Sequence, residues 1–358
     1  MRIEDLDQNM KVETDITEPD IVWLDAKQAP FQLHGVFYDE QKKCYVRMPQ
    51  EIADTVNNGV KGMNAHTSGG RVRFKTDSKF IGIRAIQKNT ALMTHITLLG
   101  QSGFDMYRKN DAGFDIYYAS FRPPMGVKEG YSSPIQTDGA FAEYTINFPL
   151  YDGVNELYIA LKKDAVIQAP DPYKIEKPVV YYGSSITQGG CASRPGNTYQ
   201  AILSRRLNVD HINLGFSGSA RGEETMVNYL CELCKTAAAF VCDYDHNAPN
   251  AEHLEKTHLP LYRAVRKANP DLPILLVSAP DVPLKPAQWL PRLEIIRQTY
   301  LTAKAEGDEK IRFLPGNKLF EGIGWDGCTV DGIHPNDLGF FRMATAMEPY
   351  LKEMLNPD

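Results

Sequence analysis

Ser184, Ser185 and Thr187 stand directly after an apolar run, in KPVVYYGSSITQGG from Lys177 to Gly190. A serine hydroxyl is a poor nucleophile alone and needs a base within hydrogen-bond reach. Gly183 is expected to permit a sharp turn, because glycine tolerates backbone angles that other residues avoid. A helix opening nearby would aim backbone N–H groups at whatever binds there. On position alone, a helix N-cap is the favoured reading of Ser185, as for most serines after a strand.

A base is available far along the chain, in VDGIHPNDLGF. Asp331 and His334 lie three residues apart, just before a helix that opens near Pro335. One tight loop can set the carboxylate beside the imidazole, where it fixes the tautomer and stabilises the imidazolium. The plain alternative is an aspartate capping the helix and a surface histidine. Two further stretches offer donors for a developing oxyanion. HINLGFSGSAR carries Gly218, whose N–H is free to point into a cleft, and FVCDYDHNAP carries Asn247. Preorganised donors of this kind are each worth roughly a hundred- to a thousandfold in rate. Gly218 also reads as a turn residue, and Asn247 as an Asx-turn before Pro249. Asn250 rivals Asn247. His246 lacks an acid partner at short spacing and ranks behind His334. Ser217 mimics a nucleophile elbow, but Ser219 takes the place of that motif's last glycine. Trp325, six residues before Asp331, could stack on a sugar or anchor a loop. Arg194, in CASRPGN, could bond substrate hydroxyls, or be a surface charge or form a salt bridge inside its loop.

The elements that must hold these residues change rhythm midway. From about Ile21 to Leu161 the pattern alternates with period two, as in RVRFKTD, FIGIRAI, HITLLG, FDIYYASF, YTINFPL and ELYIAL. Turn-rich pieces such as VNNGVKG and KNDAG separate them. Short alternating strands without long amphipathic helices predict an antiparallel β-sandwich. After APDPYKIEKP, with Pro170, Pro172 and Pro178, strands alternate with helices. VVYYG, HINLGF, AAFVCDY, PILLVSAP and IRFLPG are continuously apolar, which predicts a parallel sheet covered on both faces. Ligands bind such sheets at the carboxyl edge, where Ser185, Gly218 and Asn247 fall. The expected boundary separates residues 1–172 from 173–358.

The chain has 358 residues, 43% of them hydrophobic, with a formal net charge of -6. That balance argues against nucleic acid or an anionic membrane as partner. No run approaches the roughly 18 consecutive apolar residues of a membrane helix. The acidic start MRIEDLDQNMKVETD has no apolar leader core. Six irregularly spaced cysteines predict reduced thiols and a cytoplasmic protein. Cys231 and Cys234, lacking a second pair, are expected to pack within a helix.

In order, the four blocks resemble the SGNH hydrolases, also called the GDSL family, over residues 179–340. The resemblance implies a three-layer α/β/α, flavodoxin-like sheet, here preceded by a jelly-roll-like β-sandwich. It implies Ser185 as nucleophile, His334 as base and Asp331 as its orienter. The oxyanion hole is then the Ser185 and Gly218 N–H groups with the Asn247 side chain. Ser184 replaces the family's usual aspartate, and the third block lacks the usual glycine before its asparagine. GFDMY (Gly103 to Tyr107) and the similar GFDIY (Gly113 to Tyr117) resemble the Gly-x-Asp-Leu-Tyr mark of bacterial SGNH hydrolases with an N-terminal β-sandwich. That organisation is similar to two-domain carbohydrate acetyl esterases.

The expected activity is removal of acyl groups, O-acetyl foremost, from a small-molecule or oligosaccharide ester, with no metal or organic cofactor. A lysophospholipase or thioesterase is the alternative on the same scaffold. A carbohydrate-binding protein without catalysis is the alternative from another class. For the N-terminal half, glycan binding, walling of the site and homo-oligomerisation all remain open.

Overall fold

The computed structural model describes residues 15–87, 92–280 and 283–355. The stretch read for a leader lies outside them except for Asp15. The chain forms two compact units. The first contains the described residues up to Val46, with Ala65–Asp171 and Arg194–Gly196; the second contains Arg47–Asn64, Pro172–Ser193 and the residues from Asn197 onward. Along the chain the two units meet between Asp171 and Pro172, one residue before the expected cut, and Arg194–Gly196 fall in the first unit. In space, the parallel-sheet unit also takes in Arg47–Asn64.

The first unit holds β1 (Ile21–Asp25), β2 (Gln32–His34), β3 (Phe37–Asp39), β4 (Cys44–Val46), β5 (Arg71–Thr76), β6 (Phe80–Ile86), β7 (Phe104–Lys109), β8 (Asp115–Phe121), β9 (Tyr131–Gln136), β10 (Ala142–Asn147), β11 (Glu156–Lys162) and β12 (Ile167–Gln168). One sheet runs β1-β11-β6-β9. The other runs β12-β5-β10-β7-β8, with β2 also paired to β5. All of these pairings are antiparallel. Alternation works as period-two patterning demands: Val72 and Phe74 enter a core with Phe104, Met106, Tyr144 and Ile146. The opposite face of β5 is not simply solvated. Arg73 is buried there, its guanidinium donating to Glu143 (2.7 Å) and the Asp171 carbonyl (2.9 Å). The repeated GFDMY and GFDIY are the two arms of one hairpin, with Tyr107 opposite Tyr117 in register.

Two local expectations fail. HITLLG is not a strand. Thr97 caps a short helix, Leu98–Ser102, by accepting from the Gly100 N–H, and β7 begins only beyond Gly103. VNNGVKG is not merely a turn, since Asn57 accepts from the Val60 N–H and caps the helix Asn58–Met63. In both places a capping side chain opens a helix that the local pattern did not show.

The second unit holds β13 (Ile175–Gly183), β14 (Val209–Gly215), β15 (Ala239–Asp243), β16 (Ile274–Val277) and β17 (Ile311–Leu314). All pair parallel, in the order β14-β13-β15-β16-β17. Helices Tyr199–Leu207 and Asp337–Leu355 pack together on one face. Glu224–Cys234, Ala251–Ala268 and Pro286–Ala305 cover the other, joined by Gln50–Val56. Cys234 is buried in that core and Cys231 packs against it. Strand order reverses around β13, so a crevice opens at its carboxyl end. Among the described residues, no helix is long and apolar enough to cross a membrane.

Candidate active site

β13 delivers its last residue, Gly183, into a space with no room for a side chain. A Cβ there would lie 2.1 Å from Thr187 Oγ1 and 2.2 Å from the Asp243 carbonyl oxygen. Its φ is not left-handed, so close approach rather than unusual backbone angles requires glycine at this position. The chain then enters a one-turn helix, Ser185–Gln188. Ser184 is the cap, its hydroxyl accepting from the Ile186 N–H. That frees the Ser185 hydroxyl from the capping role that position alone allowed it.

Buried amides lock this turn. Asn213 Nδ2 and Gln200 Nε2 each donate to the Thr187 carbonyl at 2.7 Å. The Ser217 N–H donates to Gln188 Oε1 at 2.9 Å, tying the turn to the loop after β14. Low-dielectric hydrogen bonds of this kind fix the geometry of the turn.

His334 arrives from a loop closed on itself. The Val330 N–H donates to the His334 carbonyl at 2.9 Å, and Gly332 takes φ +84°. Asp331 Oδ1 accepts from the Ile333 N–H (3.0 Å) and the His334 N–H (2.8 Å). Its Oδ2 lies 2.7 Å from His334 Nδ1. His334 Nε2 lies 2.9 Å from Ser185 Oγ. Partial burial tends to raise the Asp331 carboxyl, but its hydrogen bonds from His334 and Ile333 outweigh that and hold it below the usual carboxylate range. The alternative of Asp331 capping the next helix is not what forms, since its oxygens are taken by the Ile333 and His334 N–H groups and His334 Nδ1. Asn336 accepts from the Gly339 N–H, while Asp337 accepts from the Ser193 N–H at 2.8 Å. With the Cys191 N–H donating to the Pro335 carbonyl (2.7 Å), these contacts stitch the loop after Ser185 to the loop carrying His334. The Cys191 thiol is pushed up to about 12 by burial and by the Asp331 charge, so it stays protonated beside the histidine.

Gly218 takes φ +67°, and a Cβ there would meet nothing. Its N–H donates to no acceptor among the described residues. Asn247 closes a 3₁₀ turn, Asp245–Asn247. Its Oδ1 accepts from the Ser219 N–H (3.1 Å) and the Ala220 N–H (3.2 Å). Only an oxygen can accept there, so the amide NH₂ is directed away from that loop. Asn250 instead caps the helix Ala251–Ala268. The His246 ring lies 4.3 Å from that of Trp289. Trp325, 40% exposed, opens a short 3₁₀ turn, Trp325–Gly327. Arg194, in the β-sandwich unit, donates to Asp105 Oδ2 (2.8 Å) and to the Tyr107 hydroxyl (2.5 Å). The salt bridge weighed for it lay inside its own loop; the one formed instead runs to the aspartate of GFDMY, with the tyrosine of that stretch beside it.

Sequence reasoning missed Arg47 and Asn57. The Arg47 guanidinium is buried, donating to the carbonyls of Gly215 (2.5 Å) and Met63 (2.8 Å) and covering the Phe216 ring. Asn57 Nδ2 donates to the Ser219 carbonyl at 2.9 Å. Both brace the loop that presents Gly218. Nothing in their local sequence ties them to residues more than 150 positions away.

Comparison with known proteins agrees with this layout. The GDSL-like lipase/acylhydrolase family matches residues 176–352. The N-terminal domain described as GxDLY, of SGNH-hydrolase-type esterases, matches residues 21–167. A search of curated proteins finds no significant match. Among solved structures, a Bacteroides ovatus protein described as a GDSL-like lipase is 26% identical, with a TM-score of 0.83 over 94% of this chain and 98% of that one. The salicylyl-acyltransferase SsfX3 of a tetracycline biosynthetic pathway is 15% identical, with a TM-score of 0.75 over the same shares. A family two carbohydrate esterase from Clostridium thermocellum, solved with cellohexaose, is 15% identical, with a TM-score of 0.54 over 80% of this chain and 93% of that one. The last two likenesses establish fold alone.

Proposed function

Because the chain belongs to the GDSL-like lipase/acylhydrolase family, we propose that it is a serine esterase that removes acyl groups, O-acetyl foremost, from a carbohydrate. The observation that carries this reading is the unbroken series Asp331–His334–Ser185, with contacts of 2.7 and 2.9 Å. His334 Nε2 takes the Ser185 proton as Oγ attacks the ester carbonyl. Asp331 keeps the other proton on Nδ1 and stabilises the imidazolium. The tetrahedral oxyanion is met by the N–H groups of Ser185 and Gly218 and by the Asn247 amide. His334 then protonates the leaving sugar hydroxyl and activates the water that releases the acid.

The carbohydrate ester rests on analogy with the two-part fold of the esterase solved with cellohexaose, and a shared fold does not fix a substrate. Trp325 offers an exposed aromatic surface, suited to a sugar ring, on the turn before Asp331. All six cysteines are free, which fits a cytoplasmic setting where short oligosaccharides are met rather than intact polymer.

Ser185→Ala tests the reading. Turnover of 4-nitrophenyl acetate should fall by at least about 10³-fold, and a serine-reactive phosphonate should label the native protein at Ser185 and the variant nowhere. Undiminished turnover removes Ser185 as nucleophile. Glycan binding without labelling favours the non-catalytic reading. Acetate release from a panel of acetylated mono- and oligosaccharides then identifies the substrate, and cleavage of lysophospholipid or acyl thioester instead favours the other esterase readings.

A further inference from the structure

The β-sandwich unit carries a cavity of about 550 Å³ lined by its own residues. Its size falls within the roughly 300–1,000 Å³ typical of small-ligand pockets. Lys75, Arg108, Lys109, Asp111, Glu143 and Asp171 supply its charges, three of each sign. The cations are already matched. Lys75 pairs with Asp171 (2.5 Å), Lys109 with Glu143 (2.9 Å), and Arg108 with Asp138 (2.7 Å). Glu143 is buried and also accepts from Arg73 and from the Asp171 N–H. A charged ligand would find no net field here and would have to break these pairs.

The apolar part of the lining is exposed. Phe141 is 49% exposed and Tyr117 45%, with Ile116 beside them. Tyr117 is braced from behind: the Arg194 guanidinium lies 4.2 Å from its ring centroid, and Tyr107 meets it edge-to-face at 6.0 Å. Asp105 in turn fixes Arg194. A braced aromatic surface keeps its geometry with little ordering cost on binding. Beside these rings, each ion pair sets a donor next to an acceptor, which matches a hydroxyl that both gives and receives hydrogen bonds. Apolar faces combined with many neutral hydroxyls describe a sugar.

We propose that this cavity binds a short neutral oligosaccharide, through residues that share nothing with the Ser185 site. The GFDMY stretch then has a role: Asp105 and Tyr107 hold Arg194 beneath the Tyr117 platform.

Titration calorimetry of the full chain with unsubstituted cellohexaose, xylohexaose and mannohexaose tests the proposal, with trigalacturonate as a charged control. At least one neutral oligosaccharide should bind. Phe141→Ala should weaken it at least tenfold, and Ala140→Trp, which fills the cavity, should abolish it. Both variants should keep the native thermal midpoint, and should keep whatever ester turnover the native protein has. The proposal is overturned if no neutral oligosaccharide binds, if trigalacturonate binds in their place, or if either variant leaves affinity unchanged. None of these outcomes depends on Ser185 being a nucleophile.

Discussion

Asp331→Asn probes the outer end of the Ser185–His334–Asp331 series, where geometry makes the outcome specific. Asp331 Oδ1 accepts from two backbone N–H groups, those of Ile333 and His334. An asparagine must turn its carbonyl toward those donors, because an amide NH₂ cannot accept from them. The NH₂ then faces His334 Nδ1 and forces it to be the acceptor. The ring proton moves to Nε2, which points at Ser185 Oγ 2.9 Å away. A protonated Nε2 cannot take the serine proton, so the substitution selects the tautomer that blocks the first step. The corresponding change in a Ser-His-Asp protease lowers kcat by about 10⁴. Asp331 has a side chain 36% exposed, and water screens part of its effect on the imidazolium. We therefore expect a loss of about 10³-fold, or roughly 4 kcal/mol at about 1.36 kcal/mol per decade. Steady-state turnover of 4-nitrophenyl acetate from about pH 5 to about pH 9 is the assay. Asp331→Ala is the companion, because it leaves the ring free to choose its tautomer and should be less impaired than Asn. More than a tenth of native turnover in Asp331→Asn, or an alanine variant tenfold worse than asparagine, refutes the tautomer reasoning.

Asn247→Ala should lower kcat by roughly 10²–10³ with little change in KM. Asn247→Asp keeps the acceptor for the Ser219 and Ala220 N–H groups yet loses the donor, so it should be as slow; native turnover in the aspartate variant would leave Asn247 a loop anchor only. His258 is a separate titration. Burial lowers it to about 3 from its ordinary 6.5, with Nδ1 2.9 Å from Thr299 Oγ1. The folded value lies below the unfolded one, so its neutral form leaves stability intact above about pH 6.5, and stability is lost as pH falls from there toward 3, at a slope approaching about 1.4 kcal/mol per unit. His258→Phe should flatten denaturant midpoints across that window; an unchanged slope would show that other groups govern the acid limb.

The parts of this molecule legible in sequence were those specified locally. The five apolar runs became β13 to β17 because buried parallel strands need no partner pattern beyond their own apolar character. The D-G-I-H stretch brought Asp331 to His334 because one turn suffices. Misreadings arose where a single cap decided the matter, at Thr97 and Asn57. What stayed invisible was specified by distance. Gly183 was right for the wrong reason, since the need is set by the Asp243 carbonyl on a neighbouring strand and by Thr187 across the turn, not by its own φ. Arg194 was ambiguous because its partner, Asp105, lies 89 positions away.

This division has a physical consequence for the parallel-sheet unit. The side chains proposed to react come from short blocks, but their mutual geometry depends on residues with no reactive role. Met48, Ala53 and Val60, from the segment Arg47–Asn64, are fully buried in the same core as Leu214 and Phe216. Arg47 supplies donors to the Gly215 carbonyl at the end of β14 and to the Met63 carbonyl, and buried acceptors left without donors cost about 1–3 kcal/mol each. Gly59 lies so close to Ser219 that a Cβ there would fall 1.8 Å from its hydroxyl oxygen. The loop presenting Gly218 is thus held from one side by Asn247 and from the other by Asn57 and Gly59. An oxyanion donor displaced by an ångström loses most of its advantage in the transition state. The segment Arg47–Asn64 therefore belongs to the proposed catalytic geometry as much as the blocks proposed to react do, although it precedes them by more than a hundred residues.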